Sequence, residues 1–307
     1  MKINRVVIGA DFSAPSVAAA QWTAQHFAHG AELVLVHVVT VPKPPRFFRG
    51  RFPASDALVA TARSGAEARL RDLSRSLGAE RTRIEVRTGH AAEQLADVAE
   101  AFGTDVVAVG RHGHRPGLWN RLGSTAEQLV HTTTTPVLLV TGVRDVQPRR
   151  ILVALDESDV AGVVASCART LGERFGARVT ALHVVGSAVM GHVLAVPDAS
   201  ADSDTLDSRR AREELRGELH HDADRWIAGL IGTGAGRERV SSEVAFGEPG
   251  QEILAAAERH ESELIVMGSH GSARVRRALV GSVASEVLRG ATCPVLVVPP
   301  PTDEIVD

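Results

Sequence analysis

Apolar runs of strand length alternate along the chain with longer segments rich in alanine and charged residues. The apolar runs lie at Val6–Ile8, Leu33–Val38, Ile84–Val86, Val106–Val109 and Val137–Val140, and again at Ile151–Ala154, Val179–Val184, Val240–Ala245, Leu264–Met267 and Val295–Val298. In the first half, the intervening segments predict helices over Ala14–Ala28, Ala54–Leu77, Ala91–Phe102 and Ser124–Val130. Strands that alternate with helices are typical of parallel βαβ units. Near-continuous Val, Leu and Ile runs indicate strands that are covered on both faces of the sheet.

The chain repeats this pattern once. The segment "RVVIGADFSAPS" near the start returns as "RILVALDESDVA", and "TTTPVLLV" returns as "ATCPVLVV". We therefore predict two tandem domains, over residues 1–143 and 149–307, joined by a linker at Arg144–Pro148. Each is expected to be a doubly wound α/β domain with a five-stranded parallel sheet, which binds ligands at the carboxyl ends of its strands.

A glycine-rich pattern, G-x2-G-x9-G-S, follows the fourth predicted strand of each half. Its fixed positions are Gly110, Gly113, Gly123 and Ser124 in the first copy, and Gly268, Gly271, Gly281 and Ser282 in the second. Glycines let the backbone approach an anion closely, and successive amides in such a loop form an anion-binding concavity. The Gly-Ser pair then opens a helix, whose N-terminal amides attract phosphate. The pattern predicts a phosphate site in each half.

The simpler interpretation of each loop is a strand–turn–helix connection in which glycine serves only the turn. Two copies at one spacing, both after a buried strand, argue against it. The serines of the Gly-Ser pairs can either cap the following helix or donate to phosphate. No Walker-type G-x4-G-K-[ST] motif is present, and Lys2 and Lys43 are the only lysines. Because no lysine is near the loops, we expect Mg²⁺ to bridge the phosphates, with basic help from Arg111, His112 and His270.

At these loops the sequence resembles the universal stress protein family, and the resemblance covers nearly all of each repeat. The run "VMGSHG…GSV…VL…CPVLVV" of the second copy is similar to that of the family's ATP-binding members. The resemblance implies a five-stranded α/β sandwich like that of the adenine-nucleotide alpha hydrolases, with ATP as the ligand. It also implies that Asp11 and Asp156 orient the adenosine part, and that Val38 and Val184 meet adenine through their backbone groups.

The loop pattern and this resemblance together give the candidate ATP-binding residues. In the first half they are Gly9, Asp11, Val38, Val109, Gly110, Arg111, His112, Gly113, Gly123, Ser124 and Thr125. In the second half they are Asp156, Val184, Met267, Gly268, His270, Gly271, Gly281, Ser282 and Val283. The second half departs from the family pattern at Ala154, where glycine is usual, and at Ala161, where the first half has Ser16.

Other residues near the predicted site have structural interpretations as well. Asp11 and Asp156 each precede a helical segment and can act as helix N-caps, alone or together with ligand contact. His37 and His183 recur at the end of the second strand, where a packed, hydrogen-bonded histidine is favoured over a catalytic one. His220 and its acidic neighbours lie in a polar helical segment, which favours a solvated face over a metal site.

Charge, apolar run length and cysteine content limit the partners and the location that we expect for this protein. The formal net charge of −3 provides no bulk attraction to nucleic acid or to anionic membrane, and no apolar run approaches the length of a membrane span. The two cysteines, Cys167 and Cys293, form no metal or redox motif, so a reducing cytoplasm is the expected location. An unidentified protein is the expected partner beside ATP.

Three functions stay open. The leading hypothesis is an ATP-binding stress-response regulator or nucleotide-dependent switch with slow or absent hydrolysis. The second is an ATPase or phosphotransferase with genuine turnover, although no catalytic constellation stands out among the repeated residues. The third is an interaction module that binds no nucleotide.

The last strand of each half is short, apolar and uncharged, at Val137–Val140 and Val295–Val298. Such strands invite pairing when they lie at a sheet edge, as the resemblance implies for these two. The short linker keeps the two edges at high effective concentration. We therefore predict that the halves pair through these strands as an internal pseudo-dimer.

Overall fold

The two halves form one continuous sheet in the computed structural model, which describes residues 3–40, 56–113, 122–141, 146–186, 206–231, 239–270 and 281–300. Over these residues the sheet has ten strands, in the order β3-β2-β1-β4-β5-β10-β9-β6-β7-β8. Each strand coincides with a predicted one and extends it by at most two residues at either end.

The first half supplies the first five strands and four α-helices of the described chain. In order they are β1 (Arg5–Gly9), α1 (Ala14–Trp22), β2 (Glu32–Val39), α2 (Asp56–Leu77), β3 (Thr82–Thr88), α3 (Ala91–Ala101), β4 (Val106–Gly110), α4 (Ser124–Thr132) and β5 (Val137–Val140). A π-helical turn at Thr23–Phe27 continues α1, and in it the amide of Ala28 donates to the carbonyl of Thr23 at 2.7 Å. The predicted helix Ala14–Ala28 therefore changes its hydrogen-bond pattern after Trp22.

The second half repeats this order over its described residues. Its elements are β6 (Arg150–Leu155), α5 (Ala161–Phe175), β7 (Arg178–Gly186), α6 (Leu206–Ile231), β8 (Val240–Gly247), α7 (Pro249–Arg259), β9 (Leu264–Gly268), α8 (Ser282–Gly290) and β10 (Val295–Val298). None of the described helices combines the length and the apolar character needed to cross a membrane.

Within each half the strands are parallel, in the spatial order 3-2-1-4-5 of a doubly wound domain. The chain leaves β1 toward β2 on one side and later returns to β4 on the other. A crevice therefore opens between the carboxyl ends of β1 and β4, where the direction of winding reverses. The fold class predicted from the sequence is confirmed.

The halves join through an antiparallel pair formed by β5 and β10. Leu138 lies opposite Leu296, flanked by the pairs Leu139–Val295 and Val137–Val297. All six side chains are buried. The predicted pairing of the last strands is confirmed, and it closes two edges that would otherwise expose backbone groups and apolar side chains.

Two layers of helices cover the sheet. The core on one face contains side chains of α1, α2, α5 and α6, and the core on the other contains side chains of α3, α4, α7 and α8. Each core continues across the boundary between the halves. On the first face Phe27 meets Phe175 across that boundary, with ring centroids 5.9 Å apart.

Candidate functional site

The turn between β1 and α1 is organised by the side chain of Asp11. Its Oδ1 accepts hydrogen bonds from the amide and the hydroxyl of Ser13, at 2.9 and 2.6 Å. Ser13 in turn is the N-cap of α1, because its Oγ accepts from the amide of Ser16. The alternative that Asp11 caps this helix is therefore wrong, since Ser13 holds that position and Asp11 braces Ser13.

The described ends of the first glycine loop, residues 111–113 after β4 and 122–123 before α4, make close contacts with that turn and with each other. A Cβ atom at Gly113 would lie 2.6 Å from Oδ2 of Asp11, and a Cβ atom at Gly123 would lie 3.1 Å from the carbonyl oxygen of Arg111. The amide of Gly123 donates to this same carbonyl at 2.9 Å. A side chain at either position would therefore have to displace a neighbouring oxygen atom.

The helix that follows the loop begins with its amide groups facing the site. Gly123 is the N-cap of α4 and makes no side-chain capping bond, and Ser124 is the first helical residue. The alternative that Ser124 caps this helix is therefore wrong. Its side chain is exposed at the mouth of the site and is available for contact with a ligand.

A cavity of about 480 Å³ lies at this crevice, within the size range of small-molecule sites. It brings together the turn after β1, the carboxyl ends of β2 and β4, and the start of α4. All the candidate residues of the first half except Arg111 line it: Gly9, Asp11, Val38, Val109, Gly110, His112, Gly113, Gly123, Ser124 and Thr125. The lining combines glycine-rich backbone with apolar and polar side chains.

The apolar wall includes residues that the sequence analysis missed. Leu95 and Ala91 of α3 line the cavity beside Val36 of β2. A Cβ atom at Gly9 would lie 3.0 Å from Leu95 and from Val109, so glycine at this point of β1 lets α3 pack closely. The start of α3 at the carboxyl edge of the sheet was the available signal, since ligand sites in doubly wound folds lie along that edge.

A second missed feature is a stack of three side chains beside the cavity. The ring of Phe12 stacks on His37 at 4.6 Å between centroids, and the guanidinium of Arg69 lies over the Phe12 ring at 4.1 Å. Phe12 has a φ of 63°, a left-handed conformation that is unusual for an aromatic residue. Nδ1 of His37 hydrogen-bonds the carbonyl of Ala10 at 2.7 Å, which confirms the packed, hydrogen-bonded interpretation of this histidine.

Arg111 departs from its predicted place in the phosphate loop. Its side chain is only 8% exposed and leaves the cavity toward the second half, where Nη2 donates to the carbonyl of Arg289 at 2.7 Å and Nη1 donates to that of Ala291. Burial lowers the pKa of this guanidinium. The expectation that this cation lies along the loop for phosphate is corrected, because the last two strands pair and bring the acceptor carbonyls beside it.

The described part of the second loop repeats the geometry of the first. The carbonyl oxygen of His270 lies 3.3 Å from a Cβ atom built on Gly268, as that of His112 does from one on Gly110. The amide of Gly281 donates to the carbonyl of Ser269 at 3.0 Å. Gly281 is the N-cap of α8, so its serine neighbour, the first helical residue, does not cap that helix either.

The remaining candidates of the second half lie at the equivalent positions. The hydroxyl of Ser158 donates to Asp156 Oδ1 at 2.5 Å, and Nδ1 of His183 hydrogen-bonds the carbonyl of Leu155 at 2.9 Å. Val160, not Asp156, is the N-cap of α5, so the capping alternative is wrong here too. Val184 lies near the end of β7. Met267 is in β9, before the loop, and Ser282 and Val283 begin α8, after the loop. Gly271 lies outside the described residues.

Within the part of the chain that the structure describes, no group of three or more His, Cys, Asp or Glu side chains could hold a metal ion by itself. His220 instead lies 3.4 Å from Asp224 one helical turn further along α6.

Comparison with known proteins gives a consistent set of relatives. Residues 2–141 and 148–299 each match the model of the universal stress protein family. A universal stress protein of Mycolicibacterium smegmatis is 28% identical over 308 residues, which cover 96% of this chain and 97% of that protein. One from Methanocaldococcus jannaschii is 31% identical over 156 residues, covering 51% of this chain and 85% of its own length.

Among solved structures, a universal stress protein from Archaeoglobus fulgidus has a similar fold. Its TM-score is 0.65 at 21% sequence identity, and the match covers 99% of this chain and 98% of that one. The likeness extends over both halves and concerns the fold.

Proposed function

Because this chain belongs to the universal stress protein family, we propose that it binds ATP in each half and acts as a nucleotide-dependent regulator of the stress response, with hydrolysis slow or absent. The observation that carries the proposal is the cavity of about 480 Å³ between the turn after β1 and the start of α4. Its lining combines glycine backbone at a helix N-terminus with an apolar wall, which suits a phosphate chain and a flat base.

The phosphate end lies at the glycine loop and the first turn of α4. Gly110, Gly113 and Gly123 carry no side chains of their own that could separate a phosphate from the backbone amides there. The free amides of the first helical turn and the helix dipole favour negative charge at this point. Ser124 adds a hydroxyl within the same lining.

The adenosine end lies toward α3 and the end of β2. Val38, Leu95 and Val109 give an apolar wall for the base, and the backbone of Val38 at the end of its strand offers polar groups to the base edge. The Asp11 carboxylate stands between this wall and the phosphate loop, fixed by its bonds to Ser13, and would accept hydrogen bonds from ribose hydroxyls.

The residues present fit a nucleotide-bound Mg²⁺. Asp11 Oδ2 lies beside the Cα atom of Gly113, close enough to the loop to meet a cation held by phosphates. Mg²⁺ commonly binds through one or two carboxylates together with phosphate oxygens and water. When bound, the cation would supply positive charge beside the phosphates, since the Arg111 side chain bonds elsewhere.

The test begins with the nucleotide that accompanies the purified protein, identified after extraction, and continues with calorimetric titration of ATP. We expect two sites. Replacing Gly113 by Val fills the space beside Asp11 and should abolish one site only, and Gly271→Val should abolish the other. Gly65→Val is the matched control, because a Cβ atom there meets nothing within 4 Å.

The outcomes separate the three hypotheses. ATP binding without multiple-turnover ADP release in the presence of Mg²⁺ supports the regulator. Sustained ADP release would instead support an ATPase or phosphotransferase. No ATP binding and no nucleotide in the extract would leave only an interaction module.

A further inference from the structure

Arg111 connects the glycine loop of the first half to a helix of the second. It follows Gly110 directly, and its carbonyl accepts from the amide of Gly123, so its backbone belongs to the first loop. Its guanidinium donates to the carbonyls of Arg289 and Ala291 at the end of α8. Among the described residues no carboxylate lies within ion-pair distance of it, although the side chain is buried.

The carbonyls that accept from Arg111 lie at the C-terminal end of α8, where a helix needs hydrogen-bond donors from outside itself. The last carbonyls of a helix have no amide within the helix to bond, and they carry the negative end of its dipole. Arg111 satisfies two carbonyls at this point with one rigid cation. This interaction accounts for a buried arginine that has no acidic partner among the described residues.

The opposite end of α8 is the phosphate end of the second site. Gly281 is its N-cap and Ser282 its first residue, at the positions where the glycine loop of the second half closes. With nine residues, α8 is about 13 Å long. A residue of the first loop therefore anchors the short helix whose other end would take the phosphates of the second site.

The antiparallel pairing of β5 with β10 explains how this contact arises. The start of β10 lies beside the end of β5, because Val295 is opposite Leu139. The amide of Arg111 donates to the carbonyl of Val140 at 3.1 Å, which fixes its backbone at that same end of β5. Since α8 leads into β10, its last turn comes within reach of the Arg111 side chain.

The reciprocal contact is not made by the residue at the equivalent position. Ser269 occupies the place of Arg111 in the second loop and is 1% exposed. Its short side chain bonds the neighbouring ring, with Oγ 2.8 Å from Nδ1 of His270. The two sites are therefore supported differently, although the described ends of their loops share one backbone geometry.

We infer that Arg111 is a positioning residue for the second nucleotide site, which it supports by holding α8 from the opposite end. The inference rests on the proposed function. Without the Arg111 contacts, the first turn of α8 would be less well fixed, and the affinity of the second site for phosphate would fall. Occupancy of the first loop would also be coupled to the second site through the same residue.

The experiment measures ATP at the second site alone, in the full chain. Gly113→Val closes the first site, and it is preferred to a change at Gly123 because a Cβ atom at Gly123 would press on the Arg111 carbonyl. In that background we compare Arg111 with Arg111→Gln and Arg111→Lys. The matched control is Arg174→Gln, which removes another arginine–carbonyl bond between the halves, to His29, away from both loops.

We expect Arg111→Gln to raise the Kd for ATP at the second site about five- to tenfold, at the low end of usual coupling between sites. Arg111→Lys should restore part of the affinity, because it keeps the charge but cannot reach two carbonyls in a fork. Arg174→Gln should leave the Kd within about twofold of its parent, as expected for an uncoupled site.

The results that overturn the inference differ from those that overturn the function. If the chains with Arg111, Arg111→Gln and Arg111→Lys bind ATP at the second site with equal Kd values, the positioning role is refuted and ATP binding stands. An equal loss with Arg174→Gln refutes it as well, because any weakening of the interface would then suffice. If the Gly113→Val chain with Arg111 binds no ATP, the proposed function of the second site fails, and the inference fails with it. Should Arg111→Gln not fold, as judged by circular dichroism, the Lys variant alone decides.

Discussion

The pairing of Leu138 with Leu296 predicts a measurable energetic coupling between the halves. These two residues lie directly opposite in the β5–β10 pair, and both side chains are fully buried. Truncating either to alanine removes buried apolar contacts and leaves a cavity, at a cost of about 3 kcal/mol in the free energy of unfolding. In the double variant the two truncations share one cavity, so we expect their joint cost to differ from the sum by about 1 kcal/mol.

The assay is urea denaturation followed by tryptophan fluorescence, which reports on both halves because Trp22 lies in α1 and Trp226 in α6. The control pairs Leu296→Ala with Leu35→Ala. Leu35 is equally buried on the same face but lies in β2, four strand spacings from β10, or about 19 Å. This control pair should be additive within about 0.5 kcal/mol.

Additivity of Leu138→Ala and Leu296→Ala, to the same precision as the control, would refute direct packing across the β5–β10 pair. Two separate unfolding transitions in the unmodified protein, with Leu138→Ala affecting only one of them, would refute it as well.

Further predictions concern the metal, acid stability and the thiols. Chelation of Mg²⁺ by EDTA should weaken ATP binding, and calorimetric affinities that stay unchanged across the titration would exclude a metal-bridged phosphate chain. Hydrogen bonds from Arg5 and Arg83 lower the pKa of Glu32 below its ordinary value of 4.5. Glu32→Gln should therefore destabilise the protein above pH 4.5, and urea titrations should show the difference vanishing as the pH falls through the lowered pKa. Burial raises the pKa of Cys167 to about 11 and that of Cys293 to about 12. A thiol reagent at pH 8 should therefore label both only after unfolding, and rapid labelling of the native protein would contradict this.

The sequence allowed the strands, the repeat and most of the cavity lining of the first half to be predicted, because these depend on local pattern. Each strand is a run of Val, Leu and Ile whose burial follows from its composition. The spacing between Gly110, Gly113 and Gly123 was visible in the chain, and the structure brings these glycines to one rim with Asp11.

The features that escaped prediction depend on contacts between distant segments. The destination of Arg111 is set by residues about 180 positions away, which approach only after β5 pairs with β10. The Phe12–His37 stack depends on a left-handed backbone at Phe12, for which an aromatic residue gives no signal. The serine at the N-cap of α1 lies two residues after Asp11, and capping propensity alone does not separate the two.

The antiparallel joint between β5 and β10 also determines where the two candidate sites open. Strands of the first half run in one direction and those of the second half run in the opposite direction, so their carboxyl ends lie on opposite edges of the shared sheet. The two candidate sites therefore open on opposite edges of the sheet, offset by about the length of a strand, some 15–20 Å, along the strands and by four strand spacings, about 19 Å, across them. A partner that docks on one rim would contact that half alone, and a partner that contacts both sites would have to reach around the molecule or bind as two copies.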